Sequence, residues 1–157
     1  MTQSEAKKFC EEEQEVPARL VEIDSAEEDR AIFAEIQRSN FFSRKIYFWL
    51  GITDRHSEGH WVLESTGKSV VFTNWHSGEP NNSGSDENCA HTIHHNWNDR
   101  KCSDKQGYGW MRTALCEKWK SKKEIWNIIN VSPPWQFNKN SILFCRKLRI
   151  CCVLLNS

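Results

Sequence analysis

The sequence predicts an α+β domain: two amphipathic helices, then short strands in a meander around one long polar loop. Three observations predict it. Residues 4–15 and 24–39 carry apolar side chains at helical spacing. Residues 45–52, KIYFWLGI, form an unbroken apolar run, and turn-forming residues dominate from Thr53 to Asn88 before strand-like pieces return. The 157 residues suffice for one compact domain, since a chain of this size buries roughly two thirds of its unfolded surface.

The first helix places Ala6, Phe9 and Cys10 on one face of a charged segment and ends before Pro17. LVEI (20–23) alternates like a short strand. The second helix starts at Asp24 or Ser25 as N-cap, has acids in its first turn, and buries Ile32, Phe33 and Ile36. KIYFWLGI suits a strand buried on both faces. The long loop carries Gly59, Gly67, Gly78, Pro80 and Gly84, broken by Trp61, Phe72 and Trp75, and this aromatic spacing predicts an ordered loop. CAHTI (89–93), HNWND (95–99) and WMRTALCE (110–117) read as strands.

The net charge is zero, but residues 117–157 hold 8 Lys and Arg against 2 Asp and Glu, which leaves residues 1–116 acidic. An acidic body lacks the clustered cations a nucleic-acid surface needs and suits cation binding. The tail, 118–157, ends in ILFCRKLRICCVLLNS, whose apolar run is interrupted by Arg146, Lys147 and Arg149 and is too short to span a membrane. It reads as a basic extension outside the domain, removable without loss of ligand binding. Seven cysteines without a C-x-x-C pair favour disulfides and an extracellular setting, and the absence of an apolar stretch at Met1 reads as a fragment of an exported chain.

The chemistry concentrates in GEPNNSGSDENC and WNDRKC. Glu79, Asn81, Glu87, Asn98 and Asp99 offer carboxylates and amides, the oxygen donors a hard cation such as calcium takes at about 2.3–2.6 Å. Zinc would call for Cys or His, and the EF-hand spacing is absent. A cis Glu79–Pro80 bond would turn Glu79 and Asn81 to the same side. A lone EPN triplet is ordinary loop composition; an ordered set running from EPN through Glu87 and a cysteine to WND is not. His91, His94 and His95 form the competing cluster. On a strand His91 and His95 share a face while His94 points away, and the three read as surface polar residues. No nucleophile with a matched base emerges, so the sequence does not read as an enzyme.

From about Ser4 to Glu117 the chain resembles the C-type lectin-like domain family, within it the mannose-type subgroup, through FWLGITD, FTNW, GEPNNSGSDENC, WNDRKC and TALCE in the family's order. The resemblance implies an α+β fold with two helices flanking small antiparallel sheets in domain 1–117, and disulfides Cys10–Cys116 and Cys89–Cys102, with Cys145, Cys151 and Cys152 outside. It implies a principal calcium ion on Glu79, Asn81, Glu87, Asn98 and Asp99, the same residues binding the carbohydrate as their carboxylates accept from and their amides donate to its hydroxyls, and an auxiliary ion on Asp54, Glu58, Asn82, Glu87 and Asn88, where Asn82 and Asn88 replace frequent aspartates. The implied partners are mannose, fucose, N-acetylglucosamine or glucose glycans, microbial or self, with a homo-oligomer allowed. A non-sugar relative binding mineral, ice or protein is the alternative. The family's first strand is missing ahead of Met1, which would leave an open sheet edge.

Overall fold

The computed structural model describes residues 1–12, 18–38, 47–105, 112–118, 142–145 and 150–155. Helix α1 (Gln3–Glu12) opens with a reciprocal cap: Thr2 Oγ1 accepts from Glu5 N–H, and Glu5 Oε2 accepts from Thr2 N–H at 2.8 Å. It buries Gln3, Ala6, Phe9 and Cys10. Helix α2 (Ala26–Arg38) is capped by Ser25, whose Oγ accepts from Glu28 N–H, so of the two N-cap candidates Ser25 serves.

Two four-stranded antiparallel sheets carry the rest. One runs β3-β2-β4-β5, built from β2 (Trp49–Thr53), β3 (Val62–Leu63), β4 (Cys89–Ile93) and β5 (Asn96–Arg100). The other runs β1-β6-β8-β7, from β1 (Ala18–Leu20), β6 (Arg112–Lys118), β7 (Ile142–Cys145) and β8 (Ile150–Leu155). Val21 joins them: its N–H donates to Leu115 O, and its carbonyl accepts from Gly51 N–H at 2.8 Å. Gly51 is required at that crossing, because a Cβ there would stand 2.8 Å from Glu22 Cγ and 3.0 Å from Leu20 O. All five residues of β2 are buried, as the unbroken apolar run predicts.

One core cluster joins Ile32, Phe33 and Ile36 of α2 to Phe48, Leu50, Ile52, Trp61 and Trp97. A second packs Ala6, Phe9 and Cys10 of α1 against Leu20, Trp49, Cys89 and Cys116. Both disulfides form as the resemblance implies, Cys10–Cys116 and Cys89–Cys102. The first spans 106 positions, for which chain-entropy reasoning gives about 4.7 kcal/mol.

The tail departs from expectation. Residues 142–145 and 150–155 form an antiparallel pair, and β8 pairs with β6 from Arg112↔Leu155 to Glu117↔Ile150. The edge of β6 expected to stay open is therefore covered, and the extension is tied to the body by backbone hydrogen bonds. Charge composition hid this, because strand pairing depends on backbone donors and acceptors, which any apolar, β-branched stretch supplies. The strand read over 110–117 is found as Arg112–Lys118, and residues 110–111 lie outside the described residues.

A buried ionic network fastens β1 to β6. Arg19 Nε donates to Glu117 Oε1 at 2.8 Å, Arg19 Nη1 pairs with Glu22 Oε2 at 2.9 Å, and Ser65 donates to Glu22 through its N–H and its hydroxyl. Burial pushes the Glu117 carboxyl up to about 7, against the lowering effect of Arg19. A carboxyl raised in this way contributes stability that is complete below its unfolded value near 4.5 and is lost as pH rises through about 7. Glu117→Gln is expected to remove that slope, on the order of 2–3 kcal/mol between about pH 4 and 8. Denaturant unfolding at stepped pH reads it, and an unchanged slope in the variant contradicts the assignment.

Candidate calcium and carbohydrate site

The polar loop is ordered because residues 74–76 lie along β5. Trp75 bridges Trp97 in parallel, Trp97 N–H donates to Asn74 O, and His76 N–H donates to Trp97 O at 2.7 Å. Trp75 also packs edge-on against Trp97 and 4.8 Å from Trp61. Asn74 is the hub: its Nδ2 donates to Asp29 Oδ2 and His95 O, and its Oδ1 accepts from Asn96 Nδ2. This ties the loop to α2 and to the β4–β5 hairpin.

From that anchor a turn closed by Glu79 N–H to His76 O delivers Glu79 to a cis bond with Pro80. The chain then folds around Asp99, whose two carboxylate oxygens accept from Asn81 N–H (3.1 Å) and Asn82 N–H (2.6 Å). Asn82 is left-handed at φ 45°, its Oδ1 accepts from Glu87 N–H, and Glu87 Oε2 accepts from Ser83 N–H across the 3-10 turn Ser83–Ser85. Asp99 is 1 % exposed. Asn81 stands on the same turn as an exposed residue, while Asn98 Nδ2 lies 2.6 Å from Asp99 O.

Charge is crowded here. Burial, then the Asp99 carboxylate and Glu87, hold the Glu79 carboxyl above its ordinary range, with His76 opposing. Glu79 Oε2 and Asn98 Oδ1 are buried without a hydrogen-bond partner. Such oxygens are costly unless something electropositive meets them. Carboxylates and amide carbonyls are the donors a hard cation takes, so the residues fit calcium in kind. Among the described residues no three His, Cys, Asp or Glu side chains already converge at metal distance.

The second set is brought together beside the first. Asp54 is 1 % exposed, with Oδ2 accepting from Gly59 N–H and Oδ1 buried without a partner. Asn88 O accepts from Asp54 N–H and from the Thr53 hydroxyl. Desolvation, then the carboxylates of Asp54 and Asp99, raise Glu58, with an Asn82 hydrogen bond opposing.

His94 and His95 are exposed, as expected of surface residues, whereas His91 is buried. His94 has φ 56° in the hairpin turn, which breaks the strand alternation between His91 and His95. His95 packs edge-on against Phe33 and reaches Asp29 Oδ2 at 3.3 Å. His91 lies in mid-β4 at 1 % exposure, and burial, aided by Arg100, lowers its pKa to about 4. Sequence reasoning missed the roles of Asn74 and Asp29. The position of Asn74 directly before a loop tryptophan was the available signal.

Residues 1–118 match the Lectin C-type domain. C-type lectin domain family 4 member M of Symphalangus syndactylus is 46 % identical over 92 residues, covering 57 % of this chain and 20 % of that protein. The hepatic lectin of Gallus gallus is 36 % identical over 120 residues, 75 % of this chain and 50 % of that one. The chain thus spans a fifth and a half of the lengths of these two relatives. Among solved structures, the carbohydrate-recognition domain of the human scavenger receptor C-type lectin superposes with a TM-score of 0.56 at 31 % identity, covering 66 % of this chain and 77 % of that one.

The chain belongs to the C-type lectin domain family. That family is one of carbohydrate-binding lectin domains, not of enzymes.

Proposed function

We propose that this domain binds glycans carrying vicinal equatorial hydroxyls, of the mannose, fucose, N-acetylglucosamine or glucose type, at a calcium ion held by Glu79, Asn81, Glu87, Asn98 and Asp99. The observation that carries the reading is the pair of buried, unpartnered oxygens, Glu79 Oε2 and Asn98 Oδ1, beside the Asp99 carboxylate. Calcium there supplies coordination positions for two sugar hydroxyls and neutralises the crowded carboxylates. The chain's own groups supply selection. Carboxylate oxygens of Glu79 and Glu87 accept hydroxyl protons, and the exposed Asn81 amide donates to a hydroxyl oxygen. Asp99 holds the backbone of residues 81–82, which fixes Glu79 and Asn81 on either side of Pro80. Asp54, Glu58, Asn82, Glu87 and Asn88 form the auxiliary calcium site of the same reading. The two disulfides support an extracellular setting, in which the domain serves microbial or self glycan recognition.

Retention on immobilised mannose tests the reading. The folded chain is expected to bind in calcium and to elute with a chelator. A chain that is folded and calcium-loaded yet runs through the column contradicts it.

The site lies on the sheet opposite to the tail, which gives a separate expectation. Truncation after Lys118 uncovers the β6 edge and is expected to lower the melting temperature by roughly 5–10 °C, while the folded product keeps its calcium and sugar affinities. Scanning calorimetry and the same column read both quantities. Loss of binding by a folded truncation product contradicts the separation of the two sheets' roles.

A further inference from the structure

The two disulfides sit in different surroundings. Cys10 of α1 and Cys116 of β6 are both fully buried. The bridge Cys89–Cys102 joins the start of β4 to the chain just beyond β5; Cys89 is fully buried, but Cys102 is partly exposed. Arg55 lies across this second bridge. Its Nε stands 3.2 Å from Cys102 Sγ and its Nη2 3.1 Å from Cys89 Sγ, so one guanidinium meets both sulfurs.

The guanidinium is held in that position from several sides. Nη2 also donates to Oε1 of the buried Gln3 at 2.8 Å, Nη1 pairs with Glu64 Oε1 at 3.4 Å, and the Arg55 N–H donates to Thr53 Oγ1 at 3.2 Å. Glu64 is divided between two cations, since Lys7 Nζ reaches its Oε2 at 3.6 Å. A disulfide sulfur is a weak acceptor, so the arginine gains little from the closed bridge. A thiolate carries a full charge and is strongly favoured beside a guanidinium. Arg55 therefore favours the state in which the S–S bond has opened.

We infer that Cys89–Cys102 is a thiol-exchange site at which Arg55 stabilises the departing thiolate, and that a dithiol opens it ahead of Cys10–Cys116. A thiolate of the dithiol attacks the accessible Cys102 Sγ; the S–S bond breaks, its electron pair goes to Cys89 Sγ beside Nη2, and a mixed disulfide remains on Cys102. The second thiolate of the dithiol then attacks the dithiol's own sulfur in that mixed disulfide, and Cys102 Sγ leaves with the pair beside Nε. The dithiol gives up two electrons and ends as a disulfide, and its two protons pass to solvent or to the two cysteines. The bridge closes residues 89–102, which hold Asn98 and Asp99 and follow directly on Glu87 and Asn88, so opening it loosens the frame of the cation loop. That last consequence rests on the proposed function, whereas the exchange does not.

Limiting dithiothreitol, applied to the folded, calcium-free full chain and followed by alkylation and peptide mapping, is expected to label Cys89 and Cys102 before Cys10 and Cys116. The reverse order, or simultaneous labelling of all four, overturns the inference. Arg55→Gln decides the arginine's part, because its two conceivable roles predict opposite signs. A departing thiolate deprived of its cation forms more slowly, by roughly three- to tenfold, whereas removal of a mere cover over the sulfurs speeds the reduction. Arg55→Lys keeps the charge without the fork and is expected to fall between Arg55→Gln and wild type. Reduction of Arg55→Gln as fast as wild type or faster, or an Arg55→Lys rate no higher than that of Arg55→Gln, overturns the role of Arg55. Calcium alone, titrated calorimetrically, is expected to bind the chain with Cys89–Cys102 reduced at least about tenfold more weakly than the oxidised chain. Equal affinity in the two forms overturns the link between bridge and ion; an oxidised chain that binds no calcium sinks the proposed function and leaves the exchange site standing.

Discussion

Asp99→Asn is expected to abolish calcium binding at millimolar concentrations and to destabilise the domain by about 2–4 kcal/mol. Asp99 is buried, and both of its carboxylate oxygens accept backbone N–H bonds, from Asn81 and Asn82. Hydrogen bonds to a charged acceptor contribute about 1.5–3 kcal/mol each. An amide in its place turns a donor toward a donor at one of the two positions. The turn that holds Glu79 and Asn81 then loses its anchor, and the site loses one of its three acids. Chemical denaturation reads the stability and calorimetry the calcium. Stability unchanged within about 0.5 kcal/mol would show that the loop is held by the Trp75–Trp97 bridge alone.

The double substitution Glu79→Gln with Asn81→Asp is expected to keep calcium within about tenfold while reversing the order of mannose and galactose. It preserves the charge count but exchanges the acceptor and donor across Pro80. Each sugar hydroxyl must meet both partners at once, and a mismatched hydroxyl leaves a buried polar group unpaired at about 1–3 kcal/mol. Competition with free mannose and galactose at saturating calcium gives the ranking. An unchanged ranking with calcium still bound would remove the EPN stretch from sugar selection.

The helices and the central strand were legible because burial leaves a periodic trace. Ala6, Phe9 and Cys10 on α1, Ile32, Phe33 and Ile36 on α2, and the fully buried β2 all follow from spacing alone. The oxygen-rich set around Pro80 was legible as composition, and the structure brings Glu79, Glu87 and Asp99 into one charged neighbourhood. Side-chain to backbone hydrogen bonds leave no such trace. Only its place directly before a loop tryptophan hints at Asn74 as the hub of the loop, and nothing in the sequence distinguishes Asp99 as the acceptor for residues 81 and 82. The hairpin turn at His94 lacks the glycine that marks most left-handed turn positions, so the strand there was read one residue early, and the buried His91 was read as a surface residue. The two-residue strand β3 and the pairing of β8 with β6 are set by long-range register, which a local pattern does not encode.

The most direct test of calcium-dependent sugar recognition is a calorimetric titration of methyl mannoside into the folded chain, first with calcium and then with excess chelator. Saturable binding that disappears with the chelator and returns when calcium is restored is the predicted result. Binding of equal strength in both solutions, or none to a chain already shown to hold calcium, would contradict the site.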